Sequence, residues 1–309
     1  MPERGINMNI ADMNFKLTCR DVLDNGYNNT GEEVRPKWSD GTPAYTIRKT
    51  GIVNRYDLSM QFPALSLRPI AFKSCIDEIL WIWQKKSNNV NDLNSHIWDS
   101  WANEKGSIGK AYGYQVRNKF RHITTTYDKL RSIRENYITH PAKMDCKEFD
   151  FRVDQTDYIL HELKYNKNSR RIIGNLYNVE DLDKMNLEPC CYSITLMVTG
   201  DKLDMILNQR SNDLLTAGNW NVVQYAILQH MFAQVSGLKV GELTHVIADA
   251  HIYDRHVDSI KTLLERDSFP APKLWINPEV KNFYDFTVDD FKLIDYQTHE
   301  QIKNIPVAI

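Results

Sequence analysis

Three short stretches carry side chains that could do covalent chemistry on an anionic small molecule. Cys190 follows a proline in Leu187-Glu188-Pro189-Cys190-Cys191-Tyr192. Upstream lies Asn168-Ser169-Arg170-Arg171-Ile172-Ile173; downstream come Gln209-Arg210-Ser211-Asn212-Asp213 and then Asn221. A thiolate is the strongest nucleophile a protein offers near neutral pH, and neighbouring cations favour its formation. Arg170, Arg171, Arg210 and Ser211 are the donors a phosphate dianion requires. Together these stretches point to a thiolate attacking a phosphorylated small molecule. The same residues also fit a buried structural cysteine, and spacing alone leaves both readings open.

The elements that would hold these residues can be read from periodicity. Residues 14–25 follow helical spacing and stop at Gly26. Residues 34–43, rich in Gly, Pro, Ser and Asp, form a loop containing Arg35, and residues 45–67 read as extended segments with a turn at Gly51. Residues 72–85 place Ile76, Ile79, Leu80, Ile82 and Trp83 on one helical face, with Glu78 inside it. A carboxylate in that position is either salt-bridged or carries a raised pKa suited to proton transfer. Trp98 and Trp101 share one face of a helix or turn, and residues 106–115 form a Gly-rich loop. Further helices are expected at 154–164, 181–185, 221–235 and 256–266. Strands are expected at 172–173, 192–198, 202–208, 244–247, 274–276 and 291–294, with a turn at Gly200-Asp201. With no internal repeat and no long linker, one mixed α+β domain spanning residues 1–309 is the expected architecture.

Composition narrows the function classes. The 309 residues are 42% hydrophobic and 25% charged, with a formal net charge of -2, so no global field favours nucleic acid. Five cysteines, an odd number without framework spacing, argue against disulfides and for a reducing compartment. Neither Cys-x-x-Cys nor a zinc-like His/Cys pattern occurs, so no metal site is expected. The N-terminus lacks a basic-then-apolar signal and no run is long enough to span a bilayer, so a cytoplasmic location is the expectation. Residues 117–147 hold eight Lys or Arg against three acids. They read as part of a solvated surface insertion, at 117–150, with RNA contact as the alternative.

Pro189-Cys190, Gln209 to Asp213, Asn221 and Asp249-Ala250-His251-Ile252-Tyr253 together resemble thymidylate synthase. So do Asp77-Glu78-Ile79-Leu80-Trp81, Ile97-Trp98-Asp99, Ala111-Tyr112-Gly113, Lys273-Leu274-Trp275-Ile276-Asn277-Pro278-Glu279 and the terminal Pro306-Val307-Ala308-Ile309. The resemblance runs from about residue 35 to the end, in the form found in some bacilli and their phages. It implies a mixed twisted sheet flanked by helices, with one sheet face used for homodimer packing. It also implies reductive methylation of dUMP by 5,10-methylenetetrahydrofolate, giving dTMP and dihydrofolate. Cys190 would add to carbon 6 of uracil, with Glu78, Tyr112, Asp249 and Arg210 completing the catalytic set.

The resemblance further implies that Arg35, Arg210, Ser211, Asn212 and Asp213, with Arg170 and Arg171 from the other subunit, hold dUMP. Asn221 would read the uracil edge, and His251 and Tyr253 the deoxyribose hydroxyl. Arg68, Ile97, Trp98, Trp101, Leu187, Asp213, Ala217, Trp220, Val307, Ala308 and Ile309 would face the folate. Ala217, Trp220, Arg68 and Ala248 depart from the family's usual Gly, Phe, Lys and Gly, which bears on folate binding rather than on the nucleotide site. The related dCMP hydroxymethylases carry an acid at the Asn221 position, so Asn221 argues for uracil. The alternatives are a deoxyuridylate hydroxymethylase, in which water replaces hydride, and an RNA-binding protein acting through residues 117–147.

Overall fold

The computed structural model describes residues 9–134 and 147–308. Expectations placed on residues 135–146 and on Ile309 lie outside them. Helix α1 (Ile10–Asn25) starts earlier than its periodicity implied because the Asn9 side chain accepts from the Asp12 amide, a polar N-cap. It ends where Gly26 N–H closes on the Val22 carbonyl. A two-residue strand β1 (Tyr27–Asn28) pairs with β2 (Thr46–Asp57). The expected turn at Gly51 does not form. Gly51 takes a left-handed φ of 75° within β2, and Thr50 and Ile52 on either side keep their partners Asp249 and Ile247.

Helix α2 (Phe72–Trp83) is buried along most of its length, including Glu78. The second half of the expected Gly-rich loop folds into a short helix, α3 (Gly113–Asn118). The described part of the basic stretch, expected as a solvated surface insertion, has regular structure. It forms an antiparallel ribbon of β3 (Arg121–Thr126) and β4 (Glu148–Val153), with α4 (Tyr127–Arg131) after β3. The ribbon packs on α5 (Gln155–Tyr165) through buried Ile123, Leu130 and Ile133, and His161 bonds Thr125 Oγ1 at 2.8 Å. Local propensity and charge signalled exposure, but apolar residues spaced through the stretch bury one side of it.

The remaining strands are β5 (Ile172–Asn175), β6 (Cys191–Thr199), β7 (Lys202–Gln209) and β8 (Asn212–Asp213), followed by helix α6 (Trp220–Val235). Then come β9 (Lys239–Tyr253), helix α7 (Val257–Glu265) and a separate pair, β10 (Lys273–Ile276) with β11 (Phe291–Ile294). The main sheet runs β1-β2-β9-β7-β6-β5, with β8 also on β9. Strand β9 is antiparallel to β2 and parallel to β7, so the sheet is mixed, as the α+β expectation required. Strand β9 is far longer than the expected 244–247 because Gly241 and Glu242 before that run and Asp249 and His251 after it interrupt the apolar pattern by which a strand is recognised.

One sheet face buries Ile194, Leu196, Leu203, Met205, Leu207, Leu243 and Ile247 as the core, beneath α1, α2 and α6. Contact is close: a Cβ on Gly174 in β5 would come within 2.5 Å of the Trp83 ring of α2. The opposite face carries Val53, Ile173, Met197 and Ile206, each 36–52% exposed. Such a row of apolar side chains on one sheet face is a surface that another protein copy can cover. Among the described residues, no helix is long and apolar enough to cross a membrane.

Candidate active site

Cys190 sits immediately before β6, and Arg210 immediately after β7. These strands pair with Cys191 opposite Gln209, so the hairpin itself sets the two residues side by side. The Arg210 amide donates to the Cys190 carbonyl at 2.8 Å. Its guanidinium donates from Nε to the Pro189 carbonyl (3.2 Å) and from Nη2 to the Glu188 carbonyl (2.9 Å). From the other side, the Cys190 amide donates to the Tyr112 hydroxyl at 3.2 Å. Tyr112 caps α3 with a left-handed φ of 46°, unusual for an aromatic residue, and its ring meets Trp98 edge-on at 4.9 Å.

The two cysteines differ in access. Cys190 is half-buried and Cys191 is buried in the core. Burial pushes the Cys190 thiol above its ordinary pKa, and the Arg210 charge offsets this only in part. The expected cationic bias toward thiolate is therefore present but outweighed by desolvation. The resting side chain at neutral pH is a thiol. Cys191 is pushed up further, by burial and then by Cys190 and Glu78.

Glu78, in the middle of α2, has its pKa raised to about 7 by burial, with the Trp220 N–H pulling against the rise. Trp220 Nε1 makes the bond to Glu78 Oε2 at 2.8 Å. A carboxyl balanced near neutrality can both give and take a proton. Asn221, one residue on, accepts from Gln209 Nε2 and donates to Gln224 Oε1, both at 3.1 Å.

Strand β9 brings the next group. His251 Nδ1 lies 3.0 Å from Asp249 Oδ1, and Asp249 faces Arg48 across β2 at 3.6 Å. Tyr253 packs edge-on against His251 at 5.2 Å and Trp38 at 5.5 Å. Burial raises the Tyr253 hydroxyl to about 12; Asp213, Asp249 and Cys190 add to the rise, and Arg35 opposes it. Arg35, Cys190, Asp213 and Asp249 thus all lie near enough to Tyr253 to influence its hydroxyl.

Asp213 meets His256 Nδ1 at 3.4 Å and accepts from Thr216 Oγ1 at 2.6 Å. Burial alone would raise its carboxyl; His256, Thr216 and His251 outweigh that and set it below the usual range. His256 Nε2 donates to the Pro306 carbonyl at 2.8 Å, tying the C-terminal segment to this site, with Val307 and Ala308 beyond it. A cleft of about 160 Å³ lined by Arg68, Thr216, Trp220 and Gln301 opens nearby. Arg68 Nη2 donates to the Leu215 carbonyl beside Ala217, and Trp98 and Trp101 stand 5.6 Å apart as an aromatic wall. Ile97 is exposed and Leu187 half-buried.

Three of the expected site residues lie apart from the thiol within this chain. Arg170 and Arg171 are exposed at the start of β5. Since Ile172 pairs with Leu196, Arg171 lies level with Met197. At about 3.3 Å per residue along β6 that is roughly 23 Å from Cys190, beyond an arginine's reach. Asn212 is buried and lines a small enclosed cavity with Phe15, Tyr56 and Ile247, away from the thiol. Sequence reasoning missed Gln209, Gln224, His245 and His256, polar residues in apolar surroundings that only tertiary structure connects. Among the described residues, no group of His, Cys, Asp or Glu could hold a metal ion.

Comparison with known proteins agrees with this geometry. The family model described as thymidylate synthase matches residues 13–309. Thymidylate synthase of Bacillus subtilis subsp. natto is 43% identical over 295 residues, covering 94% of this chain and 96% of its own. Thymidylate synthase of Bacillus phage phi3T is 43% identical over the same shares. The solved structure of thermostable thymidylate synthase A from Bacillus subtilis superposes with a TM-score of 0.83 at 43% identity, covering 96% of this chain and 99% of that one.

Proposed function

The chain belongs to the thymidylate synthase family, and from that premise we propose that Cys190, clasped between Arg210 and Tyr112, is its nucleophile. The reaction is reductive methylation of dUMP to dTMP. 5,10-Methylenetetrahydrofolate supplies both the one-carbon unit and the hydride, and leaves as dihydrofolate. The residues at hand suit a flat ring with a polar edge: the Trp98 and Trp101 wall, the cleft at Arg68 and Trp220, and the Asp213 carboxylate.

Carbon 5 of uracil is a poor nucleophile. Addition of Cys190 Sγ at carbon 6 gives carbon 5 enolate character, splitting one hard step into two easier ones. Because the resting group is a thiol, it must first give its proton to solvent; Arg210 favours the thiolate that attacks, and on addition the negative charge passes to the uracil enolate oxygen. Glu78 moves protons at the base, with Tyr112 positioned over Cys190. Asn221 offers uracil one donor and one acceptor, while His251 and Tyr253 bond the deoxyribose hydroxyl, with Asp249 orienting His251. Arg35, Arg210 and Ser211 bind the phosphate. Val307, Ala308 and Ile309 keep water from the filled site, which separates methylation from hydroxymethylation.

The partner subunit's Arg170 and Arg171 complete the phosphate site. Support comes from their distance from Cys190 in their own chain, and from the uncovered apolar sheet face, which suits a two-fold homodimer. The whole chain acts as one catalytic domain. The described part of the basic stretch serves structure rather than RNA: Lys119 pairs with Asp181 at 2.7 Å, Arg134 with Asp157 at 3.7 Å, and Arg121 stacks on Tyr158. The four described cysteines are all free, which fits a reducing cytoplasm.

The juxtaposition of Cys190 and Arg210 across the β6–β7 hairpin carries this reading. Incubation with dUMP and methylenetetrahydrofolate tests it: dTMP and the absorbance of dihydrofolate should rise together. Hydroxymethyl-dUMP without dihydrofolate would transfer the chain to the hydroxymethylase reading.

A further inference from the structure

Asn221 by itself cannot choose between uracil and cytosine. Its amide carries a donor and an acceptor, and a half-turn about its last bond exchanges them. Uracil presents oxygen 4 and the nitrogen 3 proton; cytosine presents the reverse, an amine and a bare nitrogen. An amide free to turn would satisfy either base. Discrimination therefore requires something that fixes which end of Asn221 is which.

The hydrogen bonds around Asn221 do this, and their direction follows from a single group. The Ser211 backbone carbonyl can only accept, and the Gln209 side-chain amide meets it at 2.9 Å. The Gln209 group facing Ser211 must therefore be the amino group. That same amino group faces Asn221 at 3.1 Å, so the Asn221 atom there must be its oxygen. The Asn221 amino group is then the one facing Gln224 Oε1 at 3.1 Å. The Gln224 amino group is left without a hydrogen-bond partner in the chain.

The other end of Gln209 is fixed as well. Its oxygen lies 2.8 Å from His245 Nε2, so that nitrogen must carry the proton. His245 is 1% exposed, on β9, and burial lowers its pKa to about 3. It is a neutral donor throughout the working range. Gln209, also 1% exposed, is thus held from both ends.

We propose that Gln209, clamped between the Ser211 carbonyl and His245, is the positioning residue that locks the Asn221 amide in the orientation that reads uracil and refuses cytosine. This rests on the assignment of Asn221 as the base reader. With the lock in place, one Asn221 N–H and one oxygen lone pair remain free, matching oxygen 4 and the nitrogen 3 proton of uracil. His245 acts one step further out, on strand β9, by supplying the bond that keeps the Gln209 oxygen turned from Ser211.

The test is the ratio of affinities for dUMP and dCMP, measured by calorimetry on the intact protein. Gln209→Leu removes the lock. Gln209→Glu keeps the shape and, when ionised, can only accept, so the Asn221 amino group turns toward it. Both variants should lower the dUMP preference by about tenfold or more, with Gln209→Glu gaining dCMP affinity outright, and His245→Phe should produce a smaller shift in the same direction. Circular dichroism and thermal melts establish that each variant is folded. If a Gln209 variant does not fold, the folded variant of the pair and His245→Phe decide the matter by the same ratio. Folded Gln209 variants with the wild-type ratio would overturn the lock. Asn221→Ala is measured alongside. If it collapses the ratio while the Gln209 variants do not, the base reader stands and the lock fails. If it leaves the ratio intact, the base-reading assignment itself fails.

Discussion

Trp220 Nε1 donates a 2.8 Å hydrogen bond to Oε2 of Glu78, joining the first turn of α6 to the middle of α2. Trp220 also lines the cleft beside Arg68. One residue thus touches both the proposed proton-transfer carboxyl and the proposed folate side. A phenylalanine here would keep the ring and lose the donor. Trp220→Phe should therefore move the titration of Glu78 to higher pH, since this bond favours the carboxylate. The pH profile of kcat, compared between the two proteins, is the check. A profile that does not move would mean that Trp220 serves packing alone.

Glu78 should also leave a mark on stability. Its folded pKa is raised to about 7 from an ordinary value of 4.5. Between those values the folded state keeps a proton that the unfolded chain has released, so wild-type stability falls as pH rises through this window and is level above it. Glu78→Gln cannot titrate. Relative to wild type it should gain stability from pH 4 to pH 8, by up to the order of 3 kcal/mol. Urea melts at several pH values would show the two stabilities diverging across that window. A constant difference at every pH would mean that Glu78 is not perturbed.

The proposed nucleophile and phosphate donors stand out in the sequence because they lie in short contiguous motifs: Pro189-Cys190 and Arg210-Ser211. Helices α2 and α6 were legible from their apolar spacing, and the β6–β7 hairpin from Gly200-Asp201. What was not legible depends on contacts between elements distant in the chain. His245 to Gln209 spans β9 and β7, Trp220 to Glu78 spans α6 and α2, and His256 to Pro306 spans fifty residues. The basic stretch misled because charge marks an exposed side without revealing the apolar side beneath, here Ile123, Leu130 and Ile133. The Cys190 pKa misled because adjacency to arginine is visible in sequence, whereas burial is not.

The arginine pair offers a test of subunit sharing. Arg170→Ala/Arg171→Ala protein and Cys190→Ala protein should each be nearly inactive. Mixed under conditions of subunit exchange, half the dimers are hybrids, and one of the two sites in each hybrid has every wild-type group. Activity should recover to about a quarter of wild type. No recovery after exchange has been verified by mass would mean that the arginines serve their own chain.

The central claim is that Cys190, and not its buried neighbour, attacks the nucleotide. Cys190→Ser should abolish dihydrofolate production almost completely while retaining dUMP binding, because a serine hydroxyl is barely ionised at pH 7. Cys191→Ser should cost little, since the Cys191 side chain is in the core and its thiol is held well above the ordinary pKa by burial. Peptide mapping of acid-quenched wild-type reactions makes the comparison direct. A uridylate mass on the peptide at Cys190 is the expected result. A uridylate carried by Cys191, or full turnover by Cys190→Ser, would contradict the account.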